Sequence, residues 1–296
     1  MRGFKSLHLL AVVVVAIWGY TFVTTKILID GGLTPSQIMV YRFAIAYICM
    51  LFFAPKPLFA KNIKDELLTL AAGVAGGSLY FVAENSAIAL SITSNVAIII
   101  ASAPIFTQLL SHFMLEGERM TRRMLTNSIF AFVGVVMVVY NGRIVLQLNP
   151  LGDLLALAAS LLWALYTILI RKLDMRGYTT KFVTRKIFFY GVVSMIPAFF
   201  FIPIAPTPAS TLLQPSIYIP LLFLAVAASF FCFFAWGYIV EKLGASASAP
   251  FIYLVPVVSL ISAAIVLHEK ITPLALVGMA LILLGVVRGE KRSALR

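Results

Sequence analysis

The sequence predicts an all-α integral membrane protein, with ten transmembrane helices arranged as two inverted five-helix repeats. Three observations predict it. Hydrophobic residues make up 61% of the chain and charged residues only 11%, against about a quarter charged in soluble domains. The apolar residues gather in ten runs, each near the ~20 residues that a helix needs to cross a bilayer. Short motifs of the first five runs return in the last five at nearly constant offset.

The first five runs lie near 7–29, 35–54, 66–90, 94–115 and 123–140. Helix one opens on "MRGFKSLHLLAVVVVAIWG", basic and then apolar like a secretory signal. Its apolar run continues to about Ile29 without a small-residue cleavage pattern, so it reads as a retained helix. It aligns Trp18, Thr21 and Thr25 on one face. Helix two sets Arg42 inside "YRFAIAYICMLFF". Helix three carries Gly73, Gly77, Tyr80 and Glu84 at i, i+4, i+7 and i+11, one face that is first small and then polar. Helix four holds Asn95, Ser102, Pro104 and Gln108, and "GERMT" leads into helix five.

The second five lie near 150–172, 178–203, 216–240, 246–268 and 271–288. Helix six aligns Asp153, Ser160, Trp163 or Ala164, and Thr167; helix seven carries Arg185 in "TRKIFFYG"; helix eight brings Ser229, Cys232 and Trp236 together. Helix nine holds Tyr253, Pro256 and Ser259, and "HEKIT" leads into helix ten. Helices are required because a lone strand in hydrocarbon leaves peptide groups unpaired, and the alternating pattern of a barrel is absent.

The net charge of +12 does not indicate nucleic acid. The basic residues sit in short connections, from Arg2 and Lys5 through Lys56, Lys61 and Lys64 to Arg171, Lys172 and Arg176, where they set orientation in the bilayer. With both termini cytoplasmic, the outer side keeps only Lys26, Arg143 and Lys270. Cys49 and Cys232 both fall inside apolar runs, so neither a disulfide framework nor a metal site is expected. No cofactor is expected either.

Trp18 to Lys26 is matched by Trp163 to Arg171, Arg42 and Tyr47 by Arg185 and Tyr190, Ser94 and Pro104 by Ser246 and Pro256, and Glu118 and Thr121 by Glu269 and Thr272. The offsets are 145, 143, 152 and 151. The chain therefore divides into halves of 1–145 and 146–296. Five crossings are an odd number, so the second half enters the membrane upside down. Inverted halves can exchange conformations about a central site.

The five-plus-five plan, the first-helix Trp, and the endings "PIFTQLLSHFMLEGERMT" and "PVVSLISAAIVLHEKIT" resemble the EamA type of the drug/metabolite transporter superfamily. The resemblance implies a cavity between the halves, lined by helices one to four and six to nine, with five and ten peripheral. It also implies a bacterial inner-membrane location and export more often than uptake. A homodimer through helices five and ten is left open beside a monomer.

Arg42 lies seven residues from Pro35 and Glu84 six from Leu90, so both sit roughly 9–10 Å below the outer boundary. A charge there faces protein or a wet cavity, and the two are candidates for an ion pair, either at the outer half of the cavity or as a structural clamp. Arg185, near the inner surface, is expected to snorkel to headgroups. The cavity candidates are Trp18, Thr21, Thr25, Arg42, Tyr80, Glu84, Asn95, Ser102, Trp163, Thr167, Trp236, Tyr253 and Ser259; Pro104 and Pro256 are expected to bend helices four and nine as gating points. Glu118, Glu269, Thr121 and Thr272 are read as helix-start chemistry.

The function expected is secondary transport, in the export direction, of a small metabolite such as an amino acid by alternating access. The alternatives are a facilitative exchanger without ion coupling and an intramembrane enzyme on lipid-linked substrates. The enzyme would need motifs that are missing: there is no HExxH and no phosphate loop, since "GVAGGS" at 73–78 lies mid-helix.

Overall fold

The computed structural model describes residues 2–91, 93–140, 149–199, 207–266 and 271–290, and among them only helices and connections occur. In chain order these are α1 (Arg2–Asp30), α2 (Pro35–Phe53) and α3, which runs through Ile63–Gly73, a π-helical stretch Val74–Leu79 and Tyr80–Leu90. Then come α4 (Thr93–Ile100 and Ala103–Met114), α5 (Arg122–Tyr140), α6 (Pro150–Met175) and α7 (Thr180–Val193 and Ile196–Phe199). A single turn, Ala209–Leu212, precedes α8 (Pro215–Leu222, π-helical Phe223–Phe231, Cys232–Leu243). The chain closes with α9 (Ala245–Ser248, 3₁₀ Ala249–Tyr253, Leu254–Val266) and α10 (Pro273–Glu290).

Eight of these helical spans are long and apolar enough to cross a membrane, and α10 is a shorter apolar helix. The remaining one, α7, is interrupted at Ser194–Met195 just before Pro197. Proline lacks an N–H, so the carbonyl one turn before Pro197 has no helical donor from it. Large apolar side chains such as Phe52, Phe113 and Ile265 point outward, as they do when the surrounding solvent is acyl chain.

Local chemistry starts the helices. At α2 the Thr34 hydroxyl accepts from Gln37 N–H at 3.3 Å while the Gln37 carboxamide oxygen accepts from Thr34 N–H at 2.8 Å, with Pro35 in the first turn. Asn62 and Asn149 cap α3 and α6 through Asp65 and Gly152 N–H. Thr121 and Thr272 accept from Met124 and Ala275 N–H at 3.2 and 3.3 Å, the role expected of them. Gly244, at φ +88°, stops α8 in a conformation that glycine adopts most readily.

Contacts follow a two-fold rule. α1 packs on α8 and α9 as α6 packs on α3 and α4, and α2 packs on α8 as α7 packs on α3. α2 also packs on its own counterpart α7, and α5 on α10. The π-helical stretches occupy the same place in both halves, inside α3 and α8. Gly73 and Gly77 of α3 lie against α7: a Cβ on Gly77 would stand 3.1 Å from Gly191 Cα and 2.9 Å from the Phe43 ring. The small face of α3 therefore serves close packing, and only its polar continuation reaches open space. Phe43 sits at the centre, edge to face with Phe81, Phe188 and Phe233 at 5.0–5.6 Å.

Candidate functional site: a cavity between the two halves

A cavity of about 780 Å³ lies between the halves. On α1 its wall runs from Trp18 to Ile29, about 16 Å of helix, and it occupies the half of the bundle nearer the α1–α2 and α3–α4 connections. α2 contributes Ile38, Met39 and Arg42; α3 contributes Tyr80, Phe81, Glu84, Asn85 and Ile88; α4, α6, α8 and α9 complete it. Among the described residues α7 adds nothing to this wall, a departure from the lining expected, because Thr180–Val193 is packed behind α2 and α3. α5 and α10 stand outside it, paired with each other.

Of the residues singled out in the sequence, Trp18, Thr21, Thr25, Arg42, Tyr80, Glu84 and Trp163 face the cavity together. Others lie off the wall. Ser102 bonds the Ser160 hydroxyl at 2.8 Å, Thr167 donates to Trp163 C=O at 3.0 Å, and Ser259 donates to Gly19 C=O at 2.9 Å, so each ties helix to helix or turn to turn. Trp236 and Tyr253 are fully buried. The Asn95 side chain lies outside the described residues. Phe81, Asn85, Phe233, Ile252 and Val255 line the cavity without having been singled out; their only sequence signal is an apolar or small polar side chain at the depth of Arg42.

Arg42 and Glu84 share the wall but do not pair: among the described residues no ion pair within 4 Å joins them. Arg42 is 5% exposed; its Nε donates to Ser229 Oγ at 2.8 Å and its guanidinium lies 4.5 Å from the Phe81 ring centroid. Glu84 accepts from the Tyr80 hydroxyl at 2.9 Å, one helical turn away. The expected clamp between α2 and α3 is thus replaced by two separate anchors, because Ser229 on the π-helical stretch of α8 is within reach of Arg42.

The floor is aromatic. Trp18 lies 5.2 Å from Trp163 and 5.5 Å from Trp236, Tyr80 lies 5.4 Å from Trp163, and Trp18 Nε1 donates to Ala228 C=O at 3.0 Å. Beneath Trp163, Tyr166 is closed in by Phe233 at 5.8 Å. A gap of about 10 Å³ lies below, among Tyr166, Ile170, Asp174, Tyr178 and Thr184.

Beyond that gap the two halves are joined by charge. Glu118 accepts from Arg171 Nε at 2.8 Å and from the backbone N–H of Ala245 and Ser246 at 3.2 and 2.9 Å. It therefore caps the start of α9 rather than its own helix, a correction to the role expected of it. Arg171 also binds Asp174 and Glu241 C=O, Arg176 pairs with Asp65, and Lys186 with Glu66. Arg185 does not snorkel. It is 2% exposed and donates to the carbonyls of Ala54 and Pro57, satisfying the end of α2. The repeat marks Glu118 and Arg171, but only folding brings them together across 53 residues. Among the described residues no three His, Cys, Asp or Glu side chains gather to hold a metal.

Known proteins share this architecture. A solved crystal structure superposes with a TM-score of 0.77 at 18% identity, covering 98% of both chains, which shows the common fold. An "uncharacterized transporter" of Archaeoglobus fulgidus is 32% identical over 277 residues, 92% of this chain and 94% of that one. A "probable terminal-alkyne amino-acid exporter" of Streptantibioticus cattleyicolor is 30% identical over 306 aligned residues, 99% and 96% of the two chains. A "probable amino-acid metabolite efflux pump" of Escherichia coli is 27% identical over 282, 93% and 92%. The EamA-like transporter family matches twice, over residues 5–140 and 150–288. With each five-helix half matched separately and the cavity lying between them, the chain belongs to the EamA-like transporter family.

Proposed function

We propose that this membrane transporter exports a small metabolite such as an amino acid by alternating access, with 1–145 and 146–296 as the two moving halves. The observation that carries the reading is the asymmetry along the bundle. A cavity of about 780 Å³ fills one half of its depth, while aromatic packing and cross-half charge fill the other. Such a site reaches one side at a time, and inverted halves supply a second arrangement of equal kind. The relatives named for amino-acid efflux and export support the direction and the solute class.

The charged face carries the basic connections, so by the positive-inside rule it is the cytoplasmic face of a bacterial inner membrane, and both termini lie there. The cavity then faces outward, the state that follows release of an exported solute. Pro104 and Pro256 serve as the gating points. Pro104 opens the second segment of α4 just after a break at Ala101–Ser102, and Pro256 follows the 3₁₀ stretch of α9.

Uptake and counterflow of a metabolite panel in proteoliposomes, with and without a pH gradient, test this. Saturable exchange of amino acids is expected. Exchange confined to solutes of another class would refute the assignment, and a rate set by the pH gradient would separate proton coupling from facilitation.

A further inference from the structure

Every described residue of the cavity wall is uncharged except two, Arg42 and Glu84. Both are at least nine-tenths buried, and each has donors or acceptors left over. Arg42 uses Nε on Ser229, and its two terminal nitrogens donate to nothing among the described residues. Glu84 receives one bond, from Tyr80 on Oε1, and its second oxygen receives none among the described residues. Leaving a buried charge without partners is costly, and a closer approach of the two side chains would relieve that cost. Instead Ser229 and Tyr80 hold them apart.

We propose that Arg42 and Glu84 are the two poles of a site for a zwitterion: Arg42 takes a carboxylate through its terminal nitrogens, and Glu84 takes a primary ammonium. The inference rests on the transport reading above and assigns the groups of the solute to residues of the wall. A guanidinium offers paired N–H donors in the plane that a carboxylate accepts. A carboxylate with one oxygen free is the matching acceptor for an ammonium. The charges of the described wall residues sum to zero, so a solute with one charge alone satisfies one pole and leaves the other bare. The rest of the solute meets Trp18, Tyr80, Trp163 and aliphatic side chains, which favours an apolar or aromatic remainder. Ser229 and Phe81 act on the solute through Arg42 and are positioning residues.

The experiment is counterflow in proteoliposomes with the amino acid that exchanges best in a panel of the twenty. Its decarboxylated amine and its deaminated acid serve as competitors. In the wild-type protein the intact amino acid is expected to compete at least about tenfold more strongly than either analogue, the scale of a single hydrogen bond to a charged group. Glu84→Gln is expected to close the gap to the deaminated acid, and Arg42→Gln the gap to the amine. A residue that only clamps helices would lower the affinity for all three solutes in parallel.

Equal competition by the single-charge analogues in the wild-type protein overturns the assignment, and that comparison needs no variant to fold. So does a parallel loss in both variants. If no amino acid exchanges while another class of solute does, the transport reading itself has failed; if amino acids exchange without regard to their charges, only the pole assignment has.

Discussion

Glu118→Gln is the sharpest perturbation of the closed face. The Glu118 carboxylate accepts three N–H groups, from Arg171, Ala245 and Ser246, which belong to α6 and to the start of α9. A carboxamide keeps one acceptor oxygen and turns an NH₂ toward the remaining donor, so one charge-assisted bond is lost and the others weaken. Such bonds contribute about 1.5–3 kcal/mol each. The Arg171 and Glu118 side chains are 22% and 12% exposed, and Asp174 still neutralises Arg171, so solvent screening brings the net loss to about 2 kcal/mol. On the proposed alternating-access reading, that is roughly a 30-fold shift toward the arrangement in which this face is open.

Thr184→Cys, in a background with Cys49→Ala and Cys232→Ala, reports it. Thr184 is 2% exposed and borders the small gap above the charged layer. Labelling by an impermeant maleimide applied to the charged face should accelerate by about 30-fold in Glu118→Gln, while labelling of Thr25→Cys in the large cavity from the opposite face slows. Unchanged labelling at Thr184→Cys would refute the role of Glu118 in holding this face closed. Faster labelling at both positions would mean that the fold had loosened rather than shifted between two states.

Further predictions are these. Ser229→Ala removes the bond that aims Arg42 and should weaken solute binding by roughly tenfold, about 1.4 kcal/mol, with little change in thermal unfolding; an unaltered KM would show that Arg42 is held otherwise. Gly77→Leu forces a side chain against Gly191 and Phe43 and should cost about 1–3 kcal/mol by overpacking, read as a lower unfolding temperature in detergent, whereas an unchanged melt would contradict the close packing of α3 on α7. Pro104→Ala allows α4 to continue through the break at Ala101–Ser102 and should slow turnover without abolishing binding; an undiminished transport rate would remove the gating role from this proline.

Much of the architecture was legible because the bilayer simplifies it. In hydrocarbon a chain must bond its own backbone, so apolar length alone locates the crossings, and an odd number per repeat sets the inversion. Irregular backbone was harder to read. The π-helical stretches of α3 and α8 arise where "GVAGGS" and "FLAVAASFF" are packed by neighbours, and the interruption of α7 where Pro197 offers no N–H; hydropathy averages over all three.

Of the site, the depth of Arg42 and Glu84 placed both on one wall, and the aromatic spacing brought Trp18 to Trp163. Pairing was not legible. Depth is a coordinate along the helix, whereas contact depends also on rotation about it, and the rotation of α8 puts Ser229 beside Arg42. The same reason turns Arg185 inward to the carbonyls of Ala54 and Pro57. Hydropathy and repetition thus determined by themselves that this is a twice-built bundle with buried charge near its middle. Which buried groups meet across helices was decided only in the folded state, since the bonds of Arg42 to Ser229, of Glu118 to Arg171 and the start of α9, of Arg176 to Asp65 and of Lys186 to Glu66 join residues far apart in the chain, and one helical residue of rotation is enough to exchange a partner.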